Sequence, residues 1–582
     1  MIILTPASIN NYKKVLSDKK WQWSFLGTDS CLREKIIEML GTEKRHCYAK
    51  ELQDICVQER ENYLNWIGEI GELQNNILWW ATVTSYKNPI SSNLFLNYCY
   101  LSLICKWIRE GVKKRLLIVE NPFLLESCLT SFANSPVRII KSRSYLLKKK
   151  YYDTCISYVK ALVYLIRSLK IWIFNKYFAM KFKGNIKDNL NNLDILISTW
   201  IENRSFDKNG KFTDPYMGKL NDFYKQMGLK VLTITLPILP FKLIKKSYES
   251  KEIIPSIHFV KLSDILETFL KSIFVNLKFN NSPAFKLNGF SLTLLLRNEM
   301  IKGKGSVYNA YLFYLAILNT FGKKRISCKC LLYPFENQPW DKMMIIAIRK
   351  TETTCKIIAC HNISIPLFYL NYFLGKSEGA IHPQPDVIVS NAGYWTNIFR
   401  QSGFTCDIRN GGSFRSSSTA KIKRNETADK RLNHNILVLL SSSLQYSLDL
   451  LFYLLRKNDR SKTFLLKPHP DTPENKIRVK IKHIPENFIF VGGTIEEWLD
   501  KVRTSIHIGT TAVIECLSHG VIVFKYIPER IDLDPLLSMN IKQNEVSDMD
   551  VIDVKKSNEI MIPQKNILYD SFNEKTWKSL LD

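Results

Sequence analysis

The chain has no apolar run that approaches the ~18 residues a transmembrane helix requires. Ala161–Ile166 is apolar but closely flanked by Lys160 and Arg167. The start, Met1-Ile-Ile-Leu-Thr-Pro-Ala-Ser8, lacks a basic opening and a long apolar core, so a signal peptide is not expected. Cys-x-x-Cys pairs of zinc-ligand spacing are also missing; Cys328 and Cys330 stand too close together. The thirteen cysteines are scattered, which argues for reduced thiols in a cytosolic protein. No internal repeat is visible. Acidic residues are in short supply, with 54 Asp and Glu against 82 Lys and Arg, a formal charge of +28. An excess of that size asks for an anionic partner, and nucleic acid, an anionic membrane or anionic substrates would each serve. A Lys/Asn/Ile-rich composition bias accounts for part of it. No nucleic-acid reader motif is interleaved with the cations, so nucleic acid is set aside.

What is present is a globular composition, 46% hydrophobic, over 582 residues, too many for one ordinary core. Short Val/Ile/Leu-rich runs without alternation recur along the chain. They are Arg115–Glu120, Asp194–Trp200, Lys230–Leu236, Lys329–Pro334, Lys356–Cys360, Asp386–Ser390, Asn435–Leu440, Thr463–Leu466, Phe488–Val491, Thr504–Ile508 and Val521–Tyr526. Such runs suit strands buried on both faces of a parallel sheet, and the helical patterns between them predict an α/β architecture. Their spacing divides the chain into an N-terminal unit, residues 1–322, and a C-terminal unit, residues 323–582, with Phe321–Ser327 as a hinge. Asn410–Ala420, running on to Lys430, is expected as a polar loop in the second unit. A basic helical insert, about residues 141–185, interrupts the first. It carries Lys148-Lys-Lys150, Lys160, Arg167, Lys170 and Lys176 among aromatic and aliphatic residues, and almost no acids. That mixture suits the interface of an anionic membrane, or else a core helix with a solvated basic face.

Two motifs in the second unit carry chemistry. Thr463-Phe-Leu-Leu-Lys-Pro-His-Pro-Asp471 is an apolar strand that stops at a Lys-Pro-His-Pro turn. Pro468 and Pro470 stiffen the turn, and Lys467 and His469 at a strand end can both face phosphate oxygens. Ser505–Gly520 reads as a strand, a Gly509-Thr510-Thr511 turn and a helix Ala512–His519. A helix start favours anions, the two hydroxyls add donors, and Glu515 one turn in can hold ribose hydroxyls. Read blandly, Thr511 is an N-cap with Glu515 beside it. Tyr333-Pro-Phe-Glu-Asn-Gln-Pro-Trp340 follows another strand and places Glu336 and Gln338 in a rigid polar loop, for ligand recognition or merely to cap a helix at Pro339. Strand ends at Ser441, Ser442, His361 and Asn391 are further cleft-lining candidates. In the first unit, Thr199–Gly218 holds Glu202, Asp207 and Asp214. A glycosyl transfer needs a carboxylate to take the acceptor proton, and any of the three can do it. Asp207 also suits a turn former and Asp214 an N-cap.

With these residues in view, the chain resembles two-domain glycosyltransferases of the GT-B type. The second unit is similar to the donor-binding domain of bacterial sialyltransferases and Kdo transferases, through Lys467-Pro-His-Pro470 and Gly509-Thr-Thr511. The whole chain resembles bacterial surface-carbohydrate biosynthesis proteins, through Trp79-Trp80…Lys87-Asn-Pro89, Thr199-Trp200…Asp214-Pro-Tyr-Met-Gly218 and Pro334–Trp340. The resemblance implies two Rossmann-like domains facing a cleft. It implies a CMP-linked donor such as an ulosonic acid, bound by Lys467, His469, Pro470, Gly509, Thr510, Thr511 and Glu515, with Glu336, Gln338, Ser441 and Ser442 beside them. Transfer would invert the anomeric centre without a metal or other cofactor. The acceptor would be a lipid-linked glycan of lipopolysaccharide or capsule, at the cytoplasmic face of the inner membrane. Sialyltransferases commonly place their base in an Asp/Glu-Asp/Glu-Gly triplet, which is absent here, so Asp207, Asp214 and Glu202 all remain base candidates. A CDP-alditol glycerophosphotransferase-like polymerase and a catalytically inactive scaffold of glycan assembly are the alternatives.

Overall fold

Three parallel sheets organise the chain in the computed structural model, which describes residues 1–74, 76–182, 193–275, 285–322, 326–351, 354–414, 434–548, 550, 552 and 569–581. The first sheet has β1 (Ile2–Leu4), β2 (Gln22–Leu26), β3 (Arg115–Val119) and β4 (Arg138–Ile140), in the order β2-β3-β1-β4. The second begins with β5 (Leu193–Thr199), β6 (Val231–Thr235) and β7 (Ile253–Pro255). After a small antiparallel hairpin of β8 (Lys286–Leu287) and β9 (Phe290–Ser291), it continues with β10 (Cys328–Pro334), β11 (Lys356–Cys360), β12 (Val387–Ser390) and β13 (Asp407–Asn410). Its order is β13-β12-β11-β10-β5-β6-β7. The third holds β14 (Asn435–Leu439), β15 (Thr463–Lys467), β16 (Phe488–Phe490), β17 (Thr504–His507), β18 (Ile522–Tyr526) and β19 (Asn544–Val546), ordered β16-β15-β14-β17-β18-β19.

The second and third sheets are built alike. Each starts at its centre, grows outward on one side, then returns to the centre and grows on the other. Strand order therefore reverses between β5 and β10, and again between β14 and β17. This is the Rossmann-like α/β arrangement, and a crevice opens at the carboxyl ends of the strands at each reversal. The apolar runs explain the centres: Ile195, Leu196, Ile197, Leu331, Leu332, Leu437 and Val438 are all fully buried, as strands covered on both faces require.

The expected division at residues 322 and 323 is corrected. β5 and β10 pair from Leu193↔Cys328 to Ile197↔Leu332, so chain on both sides of that point shares one sheet. Two long apolar runs gain more by pairing than either gains at a sheet edge, and the crossing between sheets instead falls after β13. Within the expected hinge, Ile326 is buried and donates its N–H to Thr320 O at 3.3 Å, while residues 323–325 lie outside the described residues. Of the expected polar loop, residues 415–430 lie outside them too. The insert is one helix, Arg143–Lys181; its expected end, residues 183–185, is not among the described residues. No described helix is long and apolar enough to cross a membrane, and all thirteen cysteines are free thiols.

Two helices from elsewhere in the chain dock on the second sheet. Helix Ala49–Gln74 reaches from the third sheet to the second. Gln53 Nε2 donates to Pro528 O at 3.1 Å and Arg530 O at 2.8 Å, while Arg60 Nε donates to Leu367 O at 3.0 Å. Near the chain's end, Trp577 is fully buried under the second sheet, where its Nε1 donates to Gly411 O at 2.9 Å.

Candidate functional site

The carboxyl edge of the third sheet gathers the residues singled out around the Lys-Pro-His-Pro turn. Lys467 closes β15, and its Nζ donates to Gly493 O. Asp471 N donates to His469 Nδ1 at 3.1 Å, which leaves Nε2 to carry the proton of the neutral ring. Thr472, two residues after Pro470, donates through Oγ1 to Ser442 O at 2.7 Å and pins the turn to the end of β14. Ser441 is buried, and its Oγ accepts from Ser443 N at 3.3 Å. Burial pushes the His469 imidazole down, Asp471 pulls it up, and Arg204 pushes it down again; the net direction is down.

After β17 the chain turns through Gly509 at φ +63°, where an added Cβ would stand 3.0 Å from the Leu533 backbone. The helix that follows, Val513–Ser518, is shorter than expected, and no side chain caps it. Thr511 is therefore not an N-cap, and Thr510 Oγ1 accepts from Ala512 N at 3.4 Å. Glu515 lies half-buried, and its Oε2 has no hydrogen-bond partner among the described residues; burial raises its carboxyl.

The matching edge of the second sheet holds the acids. Glu202 follows β5; its carboxylate accepts from Arg204 Nε at 2.9 Å and from the Tyr216 hydroxyl. Asp207 accepts from Asn209 N and Lys211 N, both at 2.8 Å, and so closes its own exposed turn. Asp214 is buried and accepts from Tyr216 N at 2.8 Å and Met217 N at 3.0 Å. Trp200 meets Tyr216 edge-on at 4.9 Å and Trp340 at 6.3 Å, which brings the loops after β5 and β10 together. Asn362 Nδ2, after β11, donates to Tyr216 O at 2.7 Å.

Glu336 and Gln338 sit on this edge, because β10 pairs with β5. Their expected place beside Lys467 and Gly509 is corrected: they belong to the sheet that carries Glu202. Gln338 N donates to Asp341 Oδ2 at 2.9 Å in the capping box of helix Pro339–Arg349, and its Nε2 donates to Glu336. Buried polar atoms await partners along the same edge. Neither ring nitrogen of His361 nor the side-chain amide of Asn391 has a hydrogen-bond partner among the described residues. Burial lowers His361 to about 3, so its ring is neutral.

Two features were missed from sequence. Arg204 grips Glu202 on the second sheet, and its charge acts on His469 of the third. The signal was a cation inside the acidic loop. The second is a buried polar hub beneath the Glu336 loop. Lys87 Nζ pairs with Glu378 at 2.5 Å, His382 Nε2 meets Asn337 Oδ1 at 3.0 Å, and Lys342 Nζ donates to Ser85 O at 2.7 Å. Asn337, at φ +51°, is held there by His382 and by its own Nδ2 donating to Asn371 O at 2.6 Å. Among the described residues no group of three or more His, Cys, Asp or Glu is placed to hold a metal ion.

No protein-family model and no curated protein matches the chain. Solved structures similar to parts of it include the kitacinnamycin glycotransferase, at 11% identity over 62% of this chain and 87% of that one, with a TM-score of 0.32. The glycosyltransferase SnogD from Streptomyces nogalater is 12% identical over 61% of this chain and 87% of its own, with a TM-score of 0.30. A UDP-GlcNAc 2-epimerase from Neisseria meningitidis, bound to UDP-GlcNAc, is 7% identical over 58% and 82%, with a TM-score of 0.27. Likeness at this level identifies no family and carries no argument about activity.

Proposed function

We propose that the chain is a glycosyltransferase of GT-B type that moves a sugar from a nucleotide donor across the cleft between the second and third sheets. The observation that carries this reading is the like design of the second and third sheets, each with charged side chains just past a strand end beside its reversal: Glu202 and Arg204 after β5, Lys467 and His469 at the end of β15. Lys467 and Arg204 are cations, His469 becomes one on taking a proton, and a nucleotide phosphate is an anion that such a set would hold. Lys467 and the backbone at Gly509 would hold the same phosphate, Glu515 would take the ribose hydroxyls, and Ser442 would lie beside them.

The transfer step follows from this placement. Glu202 accepts the proton of the acceptor hydroxyl, the freed oxygen bonds to the anomeric carbon, and the carbon–oxygen bond to phosphate breaks. Its electron pair stays on phosphate, where Lys467, His469 and Arg204 offset the charge. We choose Glu202 as the base: its carboxylate is held by the side chains of Arg204 and Tyr216, while Asp207 and Asp214 each accept two backbone N–H groups of their own turns. A single displacement of this kind inverts the anomeric centre. We assign the donor to the CMP-linked ulosonic acids. The acceptor is taken as a lipid-linked surface glycan, with the protein peripheral at the cytoplasmic membrane face through its basic helix.

Thermal stabilisation by CMP, CDP, UDP and GDP tests this. CMP should stabilise the protein, and His469→Ala should abolish the effect. Glu202→Gln should keep the nucleotide response but slow nucleotide release from the donor sugar by roughly 10²–10⁴-fold. A preference for UDP or GDP removes the CMP assignment; preference for CDP points to an alditol-phosphate polymerase; indifference to all four points to a scaffold.

A further inference from the structure

Helix Arg143–Lys181 is apolar on its outer side as well as toward the core. Toward the core it turns Leu146, Ser157, Ala161, Ser168, Ile171 and Asn175, with Tyr164, Leu165, Leu169, Trp172 and Phe178 partly buried against it. Its bulky apolar side chains Val159, Val163, Ile166, Ile173, Tyr177 and Met180 are exposed and recur at helical spacing along one stripe. Lys160, Arg167, Lys170 and Lys176 stand in or beside that stripe, and Asp153 is the helix's one carboxylate.

Helix Leu262–Phe274, which the sequence did not single out, also carries an outer apolar row. Ile265, Thr268 and Ser272 are buried, while Leu262 (46% exposed), Leu266 (49%), Leu270 (53%) and Phe274 (74%) form an outward row four residues apart. The two helices are neighbours on a common floor. Trp172 Nε1 donates to Val260 O at 2.9 Å just ahead of the second helix. Beneath them, helix Lys304–Gly322 stacks Tyr308 on Tyr164 at 5.8 Å and donates from the Tyr311 hydroxyl to Glu267 at 2.6 Å. The sides facing away from that floor are the ones that carry the exposed apolar rows. Phe174 extends the surface onto Phe241, with ring centroids 4.5 Å apart.

We infer that these two helices form one membrane-docking face, in which Leu266, Leu270 and Phe274 enter the acyl region of an anionic bilayer and the long helix lays its cations on the headgroups. The charge decides the occupant. A second copy would set one lysine-rich helix against another, whereas anionic headgroups match the cations and the acyl boundary takes the apolar rows. Bare leucine and phenylalanine rows offer nothing to a nucleic-acid backbone. The inference rests on the membrane part of the proposed function and is independent of its sugar chemistry.

Flotation of the full chain with phosphatidylcholine vesicles, with and without phosphatidylglycerol, tests it. The protein should float with the anionic vesicles. Leu266→Asp combined with Leu270→Asp should lower partitioning by roughly tenfold or more, as should Lys148→Gln, Lys149→Gln and Lys150→Gln together. Leu266→Ser with Leu270→Ser repeats the test with a milder change, and an unaltered nucleotide-induced thermal shift shows that the fold and cleft survive. Flotation unchanged by the leucine variants overturns the inference. So does a concentration-dependent dimer that those variants dissociate. Flotation that falls as expected in a protein indifferent to nucleotides keeps the docking face and removes the transferase reading.

Discussion

At the scale of single residues, the lowered His469 has a proton consequence. In the free protein His469 is held below its ordinary value of about 6.5, chiefly by burial and further by Arg204. A phosphate bound against His469 reverses that push, so binding takes up a proton. Nucleotide affinity should therefore rise as pH falls from about 8 to about 6. Titration calorimetry in two buffers of different ionisation enthalpy reads the uptake directly, and His469→Gln should flatten it; an affinity that falls toward acid would exclude His469 from the phosphate site. Lys467, His469 and Gly509 were legible because an apolar run that ends in prolines or glycine marks a strand end. Asp214 and Gln338 were also noticed, yet they serve as turn and helix caps. Caps and ligand contacts use the same residue types, and only hydrogen-bond partners separate them. Arg204 was illegible because its meaning lies on the opposite sheet.

At the scale of elements, the turn after β17 is set by backbone alone. Gly509 combines a left-handed φ with a close approach to Leu533, whereas Gly520 has φ +68° and nothing within 4 Å of an added Cβ. Gly520→Ala should cost about 1–2 kcal/mol through conformation only. Gly509→Ala should cost more, and the difference in denaturant midpoint measures the Leu533 contact. Equal costs would mean that the loop yields freely. The eleven apolar runs all became strands, with ends within a residue or so of those expected. What stayed hidden was mostly at the edges: β2, β4, β7, β13 and β19 each flank a sheet, and β1 has only three residues. Edge strands are often short and carry polar residues, as Asp407-Ile-Arg-Asn410 does, so their apolar signal is weak.

At the scale of the molecule, buried charge welds the first sheet's unit to the third's. Arg45 Nη2 meets Glu529 at 2.5 Å and Arg45 also pairs with Asp548; Arg33 and Arg530 each meet Asp449 at 2.6 Å; Arg456 meets Asp548 at 2.7 Å. Arg45→Ala leaves two buried carboxylates short of a partner and should cost about 3–5 kcal/mol. The pH profile follows. Burial alone would raise the Asp548 carboxyl, but Arg45, Arg33 and Arg456 hold it below the usual carboxylate range. Its contribution is complete above the unfolded value of about 3.9 and disappears as pH falls through the depressed folded value. Arg45→Ala should move the acid-unfolding midpoint, followed by circular dichroism, to higher pH, and an unmoved midpoint would show that the other guanidinium groups suffice. The two-unit division drawn from spacing failed at this scale, because strand spacing along the chain does not reveal that β10 crosses back to pair with β5.

The burial of Trp577 under the second sheet also has a consequence in time. A ribosome completes the seven strands of that sheet before it begins the third, but the side chains that close one face of the second come after the third is finished. Trp577 and Leu580 are fully buried there, against Tyr224, Cys330 and Phe414. On the nascent chain that face lacks Trp577 and Leu580 while β14 to β19 are made, so the sheet assembled earlier is the one sealed last.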